Sequence, residues 1–554
     1  MSATEETLLY GPNGHQLHFE AKSQSERSEA FEFIERMNRA AFKSAESNRL
    51  NFNWNTSLED INVILVRELR KLRARSRWLA ANNPYGSSAV NTLVNFCVGT
   101  GFDLHMEARR FERQADGTTV AKPRDEFNDF VEDLFREWSE QVTLTSSDGS
   151  PDEFWEMQPL MFRRWVEDGE VFIVHQVSRA VDVVPFAMQV VDADFVDYNR
   201  TEYNGNPVIM GIELNATTWK PVAYWMHTTD VLDPRRPSRV ESRRIPAENV
   251  IHLFKKRFPF QVRGIPFVTP VADKLYQVEQ YNDAQLIRNK IAAFFSVMLE
   301  GMGDEAGDGF DGGAADTPTT AEGFPTDANG NRITNLATGA ILKVPDGFKA
   351  HVIEKTTPES AYKMFLGSNL QAIGSGYEGG MSYIGLTRDT SDTTFAGGRQ
   401  QENHDFQGYR PLMKHFAKKA LSAIFRNWFD AGVMSGAITV NVVDYEVNPR
   451  RWRRHTWMPA GWDRGINPLQ QVNASEKSMK SGITTLDDEA SALGYDAKMQ
   501  ISKRARIEKM KQDAGLPNEL DGTEDALAKL GESDDDPAVE AEMQPATSTQ
   551  GDDT

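Results

Sequence analysis

The chain has 554 residues, several times the usual size of one domain, so it should hold more than one core or one elongated composite fold. Hydrophobic residues make up 40% of the sequence and charged residues 26%, which is typical of globular proteins and excludes a collagen-like or wholly disordered chain. The 81 acidic residues outnumber the 61 Lys and Arg residues and give a net charge of −20, which argues against tight DNA wrapping by phosphate neutralisation.

The single cysteine and the lack of long apolar runs indicate the cellular compartment in which the chain is expected to fold. Cys97 permits no intrachain disulfide and no cysteine-based zinc site, so we expect a reducing cytoplasm and a buried, structural thiol. The N-terminus lacks the basic and apolar regions of a signal peptide, and the longest apolar run, 291–299, is far shorter than the ~20 residues of a membrane helix. We therefore expect neither export nor membrane insertion.

Helical patterns come first along the chain. Residues 1–50 are polar and are predicted to form an arm. A capping box at 56–59, followed by leucines at helical spacing, predicts a long helix from residue 56 or 57. An unbroken apolar stripe predicts a second helix over 124–141, and Ser150–Glu153 predicts the start of a third, which ends at Gly169.

Strand patterns follow and make the first half α+β. β-branched runs separated by Asn, Gly and Pro turns predict short strands at 171–174, 188–191, 208–214, 222–226 and 250–254.

Long helices dominate the second half. The spacing predicts one helix of roughly 30 residues from 269 to 299 and another over 358–373. Between them, 301–331 is rich in Gly, Asp, Thr and Pro, and short strands are predicted at 340–344 and 351–354, so a small β-containing insert separates the helices.

A polar loop and a helical C-terminal part complete the chain. The stretch 374–398, rich in Gly, Ser and Thr, precedes a long helix with one apolar face. Short helices are predicted from about 466 to 514. The last 24 residues hold eight acids and no Lys or Arg, which predicts a disordered tail.

The sequence lacks the signatures of three common enzyme classes. The sequence has no Gly-Lys dipeptide and hence no P-loop, no Gly-x-Ser-x-Gly elbow and no His-Glu-x-x-His helix. The Gly-x-Gly-x-x-Gly matches at Gly307 and Gly374 are interpreted as loops, and the calcium-like stretch at Asp327 as an Asn-Gly turn. The acids 487–489 are interpreted as a solvated helix end. We predict no catalytic residue, no metal site and no cofactor.

A basic run is the strongest positive cluster; it comprises Arg67, Arg70, Lys71, Arg73, Arg75 and Arg77. On a helix these side chains lie along one stripe and beside it. We interpret the run as a solvated or subunit-facing surface, with a nucleic-acid contact as the alternative.

Several collinear stretches resemble the lambda-type portal proteins of tailed bacteriophages. These stretches are Arg73–Tyr85, Val98–Phe102, Val250–Phe254, Arg257–Pro266, Tyr281–Ala293 and Ser382–Arg399. The similarity continues to about residue 515. The chain departs from the family pattern at Tyr383-Ile384, where the family tends to have Tyr-Glu, and at 394–399, where the family has Asn-Tyr-Ser-Ser-Ala-Arg.

The resemblance implies an α+β portal-type fold with an α+β wing, long stem helices, a small β-containing clip and a helical C-terminal crown. The implied organisation is an N-terminal arm at 1–50, wing at 51–267, first stem helix at 268–300, clip at 301–356, second stem helix at 357–383, channel-lining loop at 384–398, long helix and wing return at 399–447, crown at 448–515 and acidic tail at 516–554.

The resemblance also implies function without catalysis: a ring of about twelve subunits at one capsid vertex, through which double-stranded DNA is packaged and ejected. The expected partners are further copies of the chain, the DNA, the terminase large subunit, a head–tail joining or adaptor protein, and the major capsid or scaffold protein. The protein would belong to the virion and assemble in the host cytoplasm. The alternative is another non-enzymatic head–tail connector or capsid structural protein, and a nuclease or packaging ATPase is disfavoured because its motifs are missing.

Candidate DNA-facing residues lie in and next to the loop at 384–398, which is polar, rich in small residues and joined to two long helices. They are Arg388, Asp389, Thr390, Ser391, Asp392, Thr393, Thr394 and Arg399. Asp389 and Asp392 offset Arg388, so we expect this loop to touch phosphates without gripping them. The net negative charge of the whole chain also favours sliding of the duplex, because it disfavours the firm Lys and Arg contacts to phosphates that hold DNA in place.

Overall fold

The structure, a computed structural model, describes residues 9–10, 16–17, 58–113, 119–142, 152–178, 183–227, 241–294, 359–391, 393–459, 461, 468–492 and 497–513. It divides into two units, 1–60 and 61–554. In the first unit, β1 (Leu9–Tyr10) pairs antiparallel with β2 (Gln16–Leu17). All other elements belong to the second unit. The expected insert at 301–356, with its strands, and the expected tail at 516–554 lie outside the described residues.

Helices account for most of the second unit. In chain order they are α1 (Ile61–Asn82), α2 (Pro84–Cys97), α3 (Asp125–Ser139), α4 (Phe154–Asp168), α5 (Ala272–Phe294), α6 (Glu359–Gly376), α7 (Tyr383–Thr387), α8 (Phe395–Phe416), α9 (Ser422–Ser435), α10 (Val442–Val447), α11 (Pro449–Trp452), α12 (Pro468–Lys480), α13 (Leu486–Ala492) and α14 (Ala497–Asp513).

The described strands of the second unit pair antiparallel throughout. They are β3 (Asp103–Met106), β4 (Arg109–Arg113), β5 (Thr119–Pro123), β6 (Glu170–Val177), β7 (Phe186–Val191), β8 (Glu202–Tyr203), β9 (Asn206–Ile209), β10 (Ile212–Leu214), β11 (Pro221–His227), β12 (Ser242–Pro246), β13 (Val250–Phe254) and β14 (His455–Met458). They form a three-stranded sheet in the order β13-β6-β7, a five-stranded sheet in the order β12-β11-β10-β9-β8, and the pairs β14-β3 and β4-β5. This mixture of helix and antiparallel sheet confirms the α+β class.

Several predicted boundaries in the first half differ from the structure, and three of the differences change the interpretation. Residues 58–60 are not helical and α1 starts at Ile61, so the capping box does not start the helix. The helix predicted from Ser150 starts at Phe154, although it ends as predicted because Gly169 adopts a left-handed φ of 81°. The strand predicted over 208–214 is a hairpin, because Met210 and Gly211 both have positive φ and reverse the chain between β9 and β10.

The predicted long helix with one apolar face is interrupted. It starts at Phe395, and the five residues Ala417–Leu421 form a π-helical turn that joins α8 to α9. A π turn accommodates an extra residue per turn, so it shifts the angular position of every later side chain. The apolar spacing of the sequence runs through this point, so the interruption is not visible as a break in the pattern.

One core joins distant parts of the chain. The ring of Phe135 in α3 lies 5.0 Å from that of Trp428 in α9, and the ring of Phe162 in α4 lies 5.4 Å from that of Phe416 in α8. The apolar stripe of α3 therefore packs against the helices after residue 395. Cys97 lies in this core with 1% exposure, which confirms its predicted structural role.

Candidate functional site

The candidate segment, which is the stretch at 384–398 that was expected to line the channel, begins in a short capped helix. The Ser382 hydroxyl accepts a hydrogen bond from the backbone N–H of Gly385 at 3.1 Å, which caps α7. Arg388 follows with a left-handed φ of 58° and ends the helix. Much of the stretch predicted as a loop is therefore regular structure, since it also includes the first turns of α8.

Two side chains outside the segment hold this capped helix in place. The Asp405 carboxylate accepts the Ser382 N–H at 3.0 Å and the Ser382 hydroxyl at 2.6 Å. The Thr92 hydroxyl donates to the Gly385 carbonyl at 3.0 Å. Burial raises the pKa of Asp405 despite these opposing bonds from Ser382. Helices α2 and α8 thus each anchor α7 through one side chain.

The next residues form a tight turn around Asp389. Its carboxylate accepts the Ser391 hydroxyl at 2.6 Å and the Ser391 N–H at 3.0 Å, and these bonds lower its pKa. Thr393 donates its N–H to the Thr390 carbonyl at 3.1 Å. The Thr394 hydroxyl then caps α8 by accepting from Gly397 N–H at 3.2 Å. Asp389 is therefore held as an anion inside a structured turn.

The charges of the segment are arranged unevenly. Arg388 is exposed, whereas Arg399 pairs with Glu402 one turn along α8, at 2.9 Å. A cavity of about 260 Å³ lies beside the turn, and its wall includes Arg388, Thr390, Glu402 and Asp405. The described part of the segment can therefore offer one exposed cation next to an anionic turn.

The structure brings together part of the predicted set. Arg388 and Thr390 line one cavity, while Arg399 pairs along its own helix; Asp392 lies outside the described residues. The sequence reasoning missed the anchors Thr92 and Asp405. The spacing of Ser382 and Gly385 signals a cap, but no local pattern links that cap to Asp405.

Two members of the basic run of α1, Arg73 and Arg77, are not solvated as the sequence analysis expected. The other four members are exposed, in agreement with that interpretation: Arg67, Arg70, Lys71 and Arg75. Arg73 is only 2% exposed and donates to the fully buried carboxylate of Glu170, which also accepts Arg263 Nε at 2.8 Å. Arg77 donates two hydrogen bonds to the Asp168 carboxylate in a bidentate pair, at 2.7 and 2.8 Å, and these bonds raise the pKa of Arg77. Arg73 ties α1 to β6, and Arg77 ties α1 to the end of α4. Both cations are unavailable for nucleic acid, because carboxylates 97 and 91 residues away in sequence neutralise them.

The described residues contain neither a metal-binding cluster nor a membrane-spanning helix. Nowhere in the described ranges do three or more His, Cys, Asp or Glu side chains converge as a metal site would require. Within those ranges every helix is too short or too polar to cross a membrane.

Comparisons with known proteins identify the family. A family model for phage portal proteins, lambda family, matches residues 47–412. The probable portal protein of Halomonas phage phiHAP-1 is 26% identical over 469 residues, which cover 81% of this chain and 82% of that protein. The portal protein of Escherichia phage N15 is 19% identical over 503 residues, which cover 84% of this chain and 88% of that protein.

Solved structures give a remote resemblance. A chain from the neck of a native gene transfer agent particle is 14% identical with a TM-score of 0.36, covering 76% of this chain and 94% of that chain. A chain from the virion of such a particle is 10% identical with a TM-score of 0.37, covering 77% of this chain and 94% of that chain.

The family match spans most of the chain, including α1 to α7 and the candidate segment. The chain therefore belongs to the lambda family of phage portal proteins. Its role is that of a portal protein, a ring-forming head–tail connector of a tailed phage and a component of the virion. The family is structural rather than enzymatic.

Proposed function

We propose that this portal protein forms a ring of about twelve subunits at one capsid vertex, through which double-stranded DNA is packaged and ejected. The observation that carries the proposal is the family match over residues 47–412. The ring would assemble in the host cytoplasm, contact the major capsid or scaffold protein, and dock the terminase large subunit and later a head–tail joining protein.

Helices α5 and α6 are proposed as the stem. The ring of Tyr281 in α5 stacks 6.1 Å from that of Tyr362 in α6, and the Tyr362 hydroxyl donates to Asn282 Oδ1 at 2.8 Å. Leu286 and Met364 are exposed in the single subunit, which suits helices that pack against neighbouring copies. On this proposal 301–356 is the clip, 51–267 with 399–447 the wing and 448–515 the crown.

The segment 384–398 is proposed as the part of each subunit nearest the duplex. Two features support the proposal. Anchoring by Asp405 and Thr92 would hold the segment firmly against a moving polymer. The exposed Arg388 is followed by the ionised Asp389, so contact with phosphate would release few counterions and would not arrest the DNA.

Ring formation is tested by native mass spectrometry and by rotational averaging of negatively stained particles. We expect closed rings of about twelve subunits, with neighbouring numbers as misassembled variants. A protein that stays monomeric or dimeric at high concentration would overturn the proposal. The same count separates a portal from another head–tail connector or capsid protein.

The channel segment is tested by adding charge without breaking a described hydrogen bond. Thr390→Lys adds one exposed cation to the turn, and Thr201→Lys adds the same charge at an exposed position just before β8. We expect Thr390→Lys rings to bind DNA with a steeper salt dependence, by about 0.9 per subunit that contacts a phosphate, and to package DNA more slowly in low salt. Packaging indistinguishable from the Thr201→Lys control would show that the segment does not face the duplex.

A further inference from the structure

Two residues with exposed aromatic side chains have a backbone conformation that bulky residues avoid. Trp219 has a φ of 56° and Phe260 a φ of 60°. The left-handed region brings Cβ close to the following carbonyl oxygen, so it is strained for any residue but glycine and, to a lesser degree, Asn or Asp. Such strain persists only where the surrounding structure imposes it, and it concentrates at functional positions.

The turn that carries Phe260 is held by buried side chains. Gln261 is 1% exposed; its side-chain oxygen accepts the N–H groups of Arg257 at 2.8 Å and Phe258 at 3.1 Å. Asn62 in α1 donates to the Phe260 carbonyl at 3.1 Å and accepts the Val262 N–H at 3.0 Å. The conformation of Phe260 is therefore fixed before any partner binds.

The turn that carries Trp219 is fixed in the same way. The Asn215 side chain accepts the N–H groups of Thr217 at 3.0 Å and Thr218 at 2.8 Å, and its carbonyl accepts the Trp219 N–H at 2.9 Å. The rings of Trp219 and Phe260 then meet edge to face, 6.4 Å apart. Two separate turns thus present their strained aromatic residues side by side.

Together with Phe258 these side chains form what we call the aromatic patch: Trp219, Phe258 and Phe260. They are 46%, 49% and 70% exposed in the single subunit. At these exposures the three side chains together present about 300 Å² of surface. A stable interface buries about 800 Å² on each partner. The patch therefore has the area and the rigid aromatic composition of the centre of a protein interface.

We propose that the aromatic patch is one face of the contact between neighbouring copies of this chain in the ring. The proposal rests on the proposed ring. A closed ring of identical subunits needs two different, complementary faces on each subunit. The exposed Lys220 and Lys256 border the patch in sequence, so a facing surface with carboxylates suits it. A second copy has exposed carboxylate residues along α3, at Glu126, Asp129 and Glu137.

The test replaces each strained aromatic residue by asparagine, which tolerates the left-handed conformation. Phe260→Asn and Trp219→Asn should leave the melting temperature of the isolated subunit nearly unchanged, because the relief of strain offsets the lost contact between the two rings. Each should raise the concentration at which half the subunits are in rings by at least about tenfold, as expected for a central interface residue. Ile483→Asn is the matched control, since Ile483 is 78% exposed but has no positive φ.

A measurement on the unaltered chain covers the case in which a variant misfolds. Hydroxyl-radical footprinting should show Trp219, Phe258 and Phe260 oxidised in dissociated subunits and protected in rings. Variants that assemble at the wild-type concentration, or patch residues that stay oxidisable in rings, would overturn the inference, and would leave the surface to a different partner. Absence of rings from the wild-type protein would instead overturn the proposed function.

Discussion

Glu170 is the residue whose neutralisation should destabilise the subunit most clearly. Its carboxylate is fully buried and accepts the guanidinium groups of Arg263 and Arg73, His252 Nε2 at 2.9 Å and the Gly264 N–H at 2.9 Å. Burial alone would raise the pKa of Glu170, but Arg263 and Arg73 hold it well below its usual value. The group is therefore ionised at neutral pH.

Glu170→Gln keeps the shape and removes the charge. Two guanidinium groups that are 2% and 0% exposed then lack their counter-ion, and removing one partner of a buried ion pair costs about 3–5 kcal/mol. Glu402→Gln is the control, because the Arg399–Glu402 pair is a partly exposed contact within one helix and should cost about 0.5 kcal/mol.

Urea unfolding at a concentration below ring formation measures the loss, provided that the slope with urea is unchanged. The stabilisation by ionised Glu170 is complete above the pKa of about 4.3 of an unfolded glutamate and is lost as pH falls through the lower folded-state pKa. The difference between wild type and Glu170→Gln should therefore be constant from about pH 7 to pH 5 and shrink below that range. A loss within about 1 kcal/mol of the Glu402→Gln control would refute the reasoning.

Three further outcomes are expected. Asp405→Asn weakens the acceptor that holds α7, so hydrogen exchange in 383–387 should become about fivefold faster, and unchanged exchange would argue against the anchor. Gly408→Ala would place a Cβ on the carbonyl oxygen of Gly379 and should cost more than about 2 kcal/mol in urea unfolding, whereas Gly367→Ala has open space in helix α6 and should be neutral or stabilising. Burial raises the pKa of the Cys97 thiol, so native protein should resist thiol reagents, and rapid labelling without unfolding would contradict its burial.

Local periodicity explains which elements the sequence could predict. The stripe of α3 and the β-branched run of β13 are each set by residues a few positions apart, and the structure has them at 125–139 and 250–254. Gly169 ended a helix as predicted because its left-handed conformation is a local property of glycine.

Partners far apart in sequence explain the errors. The run at Arg73 and Arg77 looks solvated from its spacing, and only the fold places Glu170 and Asp168 opposite these cations. The candidate segment was predicted as a polar loop. Its anchor Asp405 lies 23 residues from Ser382, beyond the reach of any capping pattern.

By itself the sequence determined the α+β class and the family, since both are written in local patterns and in collinear stretches of residues. Only the tertiary structure decided which charges are buried and which aromatic residues are displayed. Glu170 and Arg263 are 93 residues apart. The positive φ at Phe260 depends on Asn62, 198 residues earlier, which donates to the Phe260 carbonyl and accepts the Val262 N–H. Such features arise from contacts that form when distant segments pack, so no periodicity along the chain records them.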